Sequence, residues 1–150
     1  MLEGTVLRRV GPHDLEQVNS IANDTLRESY NMELFTHLFE NQSGSFFVAE
    51  FEGEVLGFAL AVPLTQRSMR ILMLAVRSDM QRAGVGRALL DLCKEHAKLR
   101  MMAEMVLEVS IDNENAIEFY RKNGFSVISV IKKYYNDGSD AFVMKCFLPM

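Results

Sequence analysis

Six consecutive apolar residues, Ile71 to Val76, are followed by a short polar loop and then by apolar positions at helical spacing. The apolar run is too short to cross a membrane and is typical of a strand covered on both faces. The helical positions begin beside two glycines and are Val85, Leu89, Leu90, Cys93 and Ala97. The pattern therefore predicts a strand, a glycine loop and a helix in the middle of the chain.

Similar patterns predict six further strands and three further helices. The strands are expected at Thr5–Val10, Ser45–Phe51, Val55–Leu64, Met105–Ile111, Phe125–Tyr135 and Ser139–Phe147. The helices are expected after Pro12, around Phe35 to Phe39 and over Asn113–Asn123. A polar loop is expected at Thr65 to Ser68, and a tight turn at Asn136 to Gly138. The order β-α-α-β-β-β-α-β-α-β-β predicts an α/β fold in which helices cover both faces of a mixed sheet.

The composition is that of an ordinary globular chain, with 49% hydrophobic and 24% charged residues. Its 150 residues are expected to form one domain. The net charge of −4 gives no general reason to expect a nucleic-acid partner. No apolar run approaches the ~18 residues of a membrane span, and the N-terminal residues do not resemble a signal peptide. We therefore expect a cytoplasmic protein that binds neither membranes nor nucleic acid.

The cysteines and histidines do not suggest a redox or metal centre. Cys93 and Cys146 fall in a predicted helix and a predicted strand, which favours buried free thiols over a disulfide. His13, His37 and His96 show no spacing typical of metal ligands. We expect no metal site.

The glycines after the central strand suggest a phosphate site. Gly84 and Gly86 allow the backbone to approach a ligand closely, and N–H groups at a helix start attract phosphate. Arg82 and Arg87 add positive charge. The nucleotide motif GxxxxGK[ST] is absent, and the dinucleotide motif GxGxxG fails because its third position is Leu89. A helix-start loop without a ligand would carry the same glycines.

Two motifs together resemble the GCN5-related N-acetyltransferase (GNAT) family. The first matches the Q/R-x-x-G-x-G/A loop that binds the pyrophosphate of acetyl-CoA, and it reads Gln81-x-x-Gly84-x-Gly86. The second, at the expected distance after it, reads Asn113-x-x-Ala116-x-x-x-Tyr120-x-x-x-Gly124-Phe125. The pair is far more specific than either motif alone. The resemblance implies a mostly antiparallel seven-stranded sheet, acetyl-CoA as cosubstrate and no metal.

Three shorter segments resemble the branch of the family that acetylates protein N-termini. The first, similar to the L-E-V of RimI-like enzymes, is Leu107-Glu108-Val109. The second is similar to the Y-Y-x-D-G-E-D-A of RimI-type and archaeal members, with Ser139 at the acidic position, and begins Tyr134-Tyr135-Asn136-Asp137-Gly138. The third resembles the L-P-E-N-Y loop of the eukaryotic NatA catalytic subunit, with Arg27 at the proline position, and reads Leu26-x-Glu28-Ser29-Tyr30.

The resemblance implies cofactor roles for residues of both motifs. Backbone groups of the central strand would pair with the pantetheine arm, at Leu74, Ala75 and Val76. The pyrophosphate would be bound by Gln81, Arg82, Ala83, Gly84, Val85, Gly86 and Arg87. Asn113 would contact CoA, and the Tyr120 hydroxyl would stabilise the departing thiolate. The same residues also fit a central strand, a helix start, a helix N-cap and a core tyrosine.

Glu108 is the candidate general base. It lies within an otherwise apolar strand, where a charge is costly unless something there uses it. The functional interpretation is a base that acts on the incoming amine, and the alternative is a carboxylate on an exposed strand face. The resemblance implies that Tyr30, Tyr134 and Tyr135 line the peptide slot, with a contribution from Glu28. Ordinary aromatic packing would explain the same tyrosines.

The implied function is transfer of an acetyl group from acetyl-CoA to the N-terminal amine of ribosomal or nascent proteins. The amine would attack the thioester directly, because neither cysteine lies in the motifs. A lysine acetyltransferase, a small-molecule amine acetyltransferase or an acetyl-CoA-binding module without turnover would share the cofactor motifs. The sequence specifies no oligomeric state.

Overall fold

The computed structural model describes residues 1–26, 30–41 and 44–149. The strands are β1 (Val6–Arg9), β2 (Ser45–Phe51), β3 (Glu54–Pro63), β4 (Ser68–Val76), β5 (Glu104–Ser110), β6 (Ser126–Ile131) and β7 (Ala141–Phe147). The α-helices are α1 (Leu15–Thr25), α2 (Met32–Asn41), α3 (Val85–Leu99) and α4 (Glu114–Lys122). Short 3-10 helices lie at Pro12–Asp14 and Ser78–Met80. No helix in the described ranges combines the length and the apolar composition that a membrane span requires.

In the described part of the chain, the strands form a seven-stranded sheet in the order β1-β2-β3-β4-β5-β7-β6. β4 and β5 pair in parallel, with Arg70 opposite Val106. The pairs β1–β2, β2–β3, β5–β7 and β6–β7 are antiparallel. This arrangement confirms the predicted α/β fold with a mixed, mostly antiparallel sheet of seven strands.

The chain forms two compact units. The first comprises Met1–Val62 and Ile71–His96, and the second comprises Pro63–Arg70 and Ala97–Met150. In the first unit, α1 buries residues at helical spacing, namely Leu15, Val18, Ile21 and Ala22. These residues belong to one apolar cluster with Phe35 and Phe58, whose rings meet edge to face at 5.9 Å. Burying one such large side chain contributes roughly 1.5–3 kcal/mol.

In the second unit, one face of β5 is apolar and the other, which also holds Val106, carries its charged residues. Met105 and Leu107 are buried, whereas Glu104 and Glu108 are part-exposed and lie on the opposite face. β7 pairs with β5 along its whole length, with Glu108 opposite Val143. The polar face of β5 therefore presents two carboxylates four residues apart.

The polar stretch Thr65 to Ser68 is not entirely loop, because β4 begins at Ser68 rather than at the predicted Ile71. Ser68 and Met69 are both buried. The Ser68 hydroxyl donates a 2.6 Å hydrogen bond to Glu104 on the neighbouring strand. In the sequence, Ser68 is indistinguishable from a loop serine, because its partner lies on another strand. The start of β4 could therefore not be predicted correctly.

The predicted last hairpin is wrong in its details. β6 ends at Ile131, not at Tyr135, and residues 132–140 form a long loop instead of a tight turn. The Asp140 carboxylate accepts a 2.9 Å hydrogen bond from the Lys133 backbone N–H, and Lys133 has a φ of 52°. This local side-chain bond replaces strand pairing. The same bond, the largest influence on Asp140, holds the pKa of its carboxyl below the usual range.

Candidate active site

The glycine loop (residues 81–87) connects the end of β4 to the start of α3. The Gln81 side-chain amide donates a 3.2 Å hydrogen bond to the Val76 carbonyl, so the loop folds back on the end of the strand. Arg82 and Gly84 have φ angles of 64° and 88°. α3 begins directly after, with its first backbone bond running from Ala88 to Gly84. The predicted strand, loop and helix are confirmed.

The shape of the glycine loop suits an anion. An L side chain rarely adopts a φ near 88°, so Gly84 is required by conformation. The first N–H groups of an α-helix have no intrahelical partner, and they point toward the N-terminal end of α3. Arg82 and Arg87 are exposed beside them, and Arg87 lies 3.9 Å from Asp91. Such a combination of N–H groups and positive charge attracts phosphate groups.

The central strand residues lie where the sequence predicts them. Leu74, Ala75 and Val76 are the last residues of β4. Ala75 is buried, and its neighbours are part-exposed.

The Glu108 cluster (Arg70, Glu108 and Tyr134) lies on the polar face of β5. Arg70 contacts both oxygens of the carboxylate, with Nη2 2.5 Å from Oε1 and Nε 3.2 Å from Oε2. The same Nη2 donates a 2.9 Å hydrogen bond to the Tyr134 hydroxyl, which lies 3.4 Å from Glu108 Oε1. The Glu108 side chain is 15% exposed. The carboxylate is thus neither a freely exposed group nor an unpaired buried charge.

Tyr134 and Tyr135 lie in the loop after β6. Their rings pack edge to face with centroids 4.9 Å apart. Burial, and next the charge of Glu108, raises the pKa of Tyr134 above its usual value. The phenol is therefore protonated at neutral pH and can donate a hydrogen bond. Glu108 and Tyr134 are two predicted site residues that the structure brings into contact.

Asn113 and Tyr120 lie at the two ends of α4. The Asn113 side chain accepts a 3.2 Å hydrogen bond from the Ala116 N–H, which confirms its predicted N-cap position. The Tyr120 ring is buried and packs against Phe119 and Phe125, with centroid distances of 5.2 and 5.4 Å. The core position of Tyr120 is clear, and its role toward the sulfur remains a prediction.

Tyr30 lies in the first unit and is held by its backbone. The Asn23 side chain accepts a 2.8 Å hydrogen bond from the Tyr30 N–H and donates a 2.9 Å bond to the Tyr30 carbonyl. The Tyr30 ring packs against Phe35 at 6.0 Å. Glu28, the other predicted residue of this segment, lies outside the described residues.

The cysteines and the histidines lie outside the contacts described above. Cys93 and Cys146 are both free and buried, as predicted. Burial raises the pKa of the Cys93 thiol to about 12, so it is not a nucleophile at neutral pH. Within residues 1–26, 30–41 and 44–149, no three His, Cys, Asp or Glu side chains are grouped as a metal ion would require.

Sequence reasoning missed Arg70 and Asn23. Arg70 stands directly before the apolar run, and its partner follows 38 residues later. Asn23 lies at an exposed position of α1. Knowing the register of the parallel pair β4–β5 would have placed Arg70 beside Glu108. That register cannot be read from the sequence of either strand.

The model of the Acetyltransferase (GNAT) family matches residues 15–125. The chain belongs to the GNAT family. This GNAT chain is 33% identical over 143 residues to an N-alpha-acetyltransferase of Sulfurisphaera tokodaii, covering 87% of this chain and 86% of the relative. Acetyl-CoA is the acetyl donor of GNAT acetyltransferases.

Solved structures share the GNAT fold along nearly the whole chain. Ard1 from Thermoplasma volcanium superposes with a TM-score of 0.94 at 34% identity, covering 98% of this chain and 99% of that one. The ribosomal-protein-S18-alanine N-acetyltransferase from Escherichia coli gives a TM-score of 0.87 at 26% identity, covering 97% and 95%. The family resemblance seen in the two motifs is confirmed.

Proposed function

We propose that this protein is an N-alpha-acetyltransferase that moves an acetyl group from acetyl-CoA to the N-terminal amine of proteins. The observation that carries the proposal is the contact between Glu108, in the L-E-V segment, and Tyr134, in the Y-Y-x-D-G segment. These two segments resemble the branch that acetylates N-termini. The names of the relatives from Sulfurisphaera tokodaii and Escherichia coli support the same substrate class.

The reaction needs a neutral amine. An α-amine has a pKa of about 7.7–8.0, whereas a lysine amine has one of about 10.4, so only the α-amine is appreciably neutral at pH 7. Its nitrogen attacks the thioester carbonyl and forms the new N–C bond. Glu108 accepts the proton that the nitrogen loses, directly or through water. The C–S bond then breaks, and the CoA sulfur leaves as a thiolate or takes up a proton.

The remaining predicted residues serve the cofactor. The glycine loop binds the pyrophosphate, and Leu74, Ala75 and Val76 pair with the pantetheine arm through their backbone. N–H groups at the end of this strand polarise the thioester carbonyl in the manner of an oxyanion hole. Asn113 contacts CoA, and the Tyr120 hydroxyl stabilises the leaving thiolate.

The family resemblance assigns three tyrosines to the peptide slot, namely Tyr30, Tyr134 and Tyr135, with Glu28 as a further contributor. The substrates are ribosomal or nascent proteins in the cytoplasm, the compartment that two free cysteines favour.

Thiol release from acetyl-CoA tests the proposal against its rivals. The substrates are a peptide with a free N-terminus and no lysine, an N-terminally blocked peptide with one lysine, and a small amine. We expect release with the first peptide, at least about ten-fold faster than with the other two. Release with the lysine peptide or the small amine alone would exclude the proposal. Binding of acetyl-CoA without any release would identify a non-catalytic module.

A further inference from the structure

Arg70 reaches the Glu108 cluster because of the register of β4 with β5. Arg70 lies opposite Val106, so Glu108 is the next residue along β5 that points to the same face. The guanidinium contacts both carboxylate oxygens, which is the fork geometry that arginine provides and lysine does not. It also reaches the Tyr134 hydroxyl, so one side chain touches both of the other members.

Glu104, the neighbouring carboxylate of β5, is a comparison for how a carboxylate charge on this face is compensated. Glu104 lies on the same face and is compensated by Lys145, with Nζ 3.3 Å from Oε1, and by the Ser68 hydroxyl. No two-pronged contact is made there. Arg70 does more than neutralise Glu108, because it fixes the plane of the carboxylate and the place of a tyrosine 64 residues away in sequence.

We propose that Arg70 is a positioning residue for acetyl transfer, which orients the Glu108 carboxylate and the Tyr134 hydroxyl toward the amine. This inference rests on the proposed function of Glu108 as the base. A carboxylate accepts about four hydrogen bonds. The contacts from Arg70 and Tyr134 therefore leave Glu108 able to accept one more, from an amine or a water.

The test compares Arg70→Gln and Arg70→Lys with Lys145→Gln, the matched change at the other ion pair of β5. Turnover of the free-N-terminus peptide is measured from about pH 5.5 to 9, together with KM for acetyl-CoA and Tm. We expect Arg70→Gln to lose about 10- to 100-fold in kcat, because the base is no longer oriented.

Arg70→Lys separates charge from geometry. The ammonium keeps a positive charge beside Glu108, but kcat should stay several-fold below wild type because the two-pronged contact is lost. Lys145→Gln should leave kcat unchanged. KM for acetyl-CoA should change less than about two-fold in every variant that turns over.

Several results would overturn the inference. A folded Arg70→Gln variant with wild-type kcat and pH profile would show that Arg70 only stabilises the fold. An equal loss of kcat in Lys145→Gln would show a general charge effect. If Arg70→Gln does not fold, wild-type kcat in Arg70→Lys would likewise show that the two-pronged contact does not serve turnover. If the wild-type protein fails to use the α-amine peptide, the proposed function fails instead, which is a separate result.

Discussion

The glycine loop of the first unit and the Glu108 cluster of the second are built in opposite ways. The loop is shaped by its backbone, with left-handed φ angles at the exposed positions Arg82 and Gly84. The cluster is shaped by side chains, since Arg70, Glu108 and Tyr134 come from distant segments and meet through their terminal atoms. A substitution should therefore affect the loop through conformation and the cluster through the atoms it removes.

The glycine loop and the Glu108 cluster differ in the substitutions that they should tolerate. Apart from Gly84, the glycine loop should tolerate the change of one exposed side chain, because its backbone N–H groups remain in place for the anion. It should not accept a Cβ at Gly84, because φ near 88° is strained for L residues. In the Glu108 cluster the identity of each side chain should matter, because removing one member leaves a part-buried charge with fewer partners.

The largest expected effect is that of Glu108→Gln. The amide keeps the shape of the carboxylate but cannot accept the proton of the amine. We expect a loss of about 10²-fold in kcat at neutral pH, the low end for general-base catalysis, with acetyl-CoA binding retained. Raising the pH toward about 9 should recover part of the loss, because more of the α-amine is then neutral. The measurement is the pH–rate profile on one peptide at saturating acetyl-CoA.

Glu104→Gln is the matched control. It removes a carboxylate from the same strand and face, where the partners are Lys145 and Ser68 instead of Arg70 and Tyr134. Its kcat should stay within about three-fold of wild type, since no catalytic role is assigned to it. Superimposable profiles for Glu108→Gln and wild type would make Glu108 a structural carboxylate and leave the proton to solvent or to another group.

The next effect concerns the glycine loop. Gly84→Val should raise KM for acetyl-CoA about ten-fold or more, because a β-branched residue forces the backbone out of the left-handed region. Gly53→Val is the control for strain alone. Gly53 lies in the β2–β3 turn with a φ of 83°, and a Cβ there would meet no atom within 4 Å.

Both glycine variants should lose roughly 1–2 kcal/mol of unfolding free energy, because each places an L side chain at positive φ. Only Gly84→Val should raise KM for acetyl-CoA. A wild-type KM for acetyl-CoA in both variants would remove the glycine loop from the cofactor site, whereas equal increases in KM would point to general destabilisation.

The glycine loop could be predicted from the sequence, whereas the Glu108 cluster could not. The glycine loop, the start of α3 and the Asn113 cap depend on neighbouring residues, and local patterns predicted them correctly. The Glu108 cluster depends on the register of β4 with β5, which puts Arg70 beside a residue 38 positions later. The segment that carries Tyr134 was predicted as strand, but it forms a loop in which the Asp140 carboxylate accepts a hydrogen bond from the Lys133 N–H.

The smallest expected effect is that of substitutions at Asn23. This residue combines the two kinds of construction, because its side chain holds the backbone of Tyr30. Asn23→Ala removes both hydrogen bonds to Tyr30, and Asn23→Asp keeps the acceptor but places a carboxylate against the Tyr30 carbonyl. If Tyr30 lines the peptide slot, both variants should raise KM for the peptide by about three- to ten-fold, equivalent to the loss of one or two hydrogen bonds. KM for acetyl-CoA should not change.

Asn19→Ala is the control for Asn23, because Asn19 lies one turn earlier on α1 and accepts a hydrogen bond from the Asn23 side chain. Its effect on peptide KM should be under about two-fold. The decisive quantity is the ratio of KM for the peptide to KM for acetyl-CoA. Loosened packing near Tyr30 and Phe35 would instead lower Tm and raise KM for both substrates. A fall in Tm with both KM values raised together would assign Tyr30 to the core. A rise in peptide KM alone would place Tyr30 in the slot, held there by a side chain that the sequence pattern did not reveal.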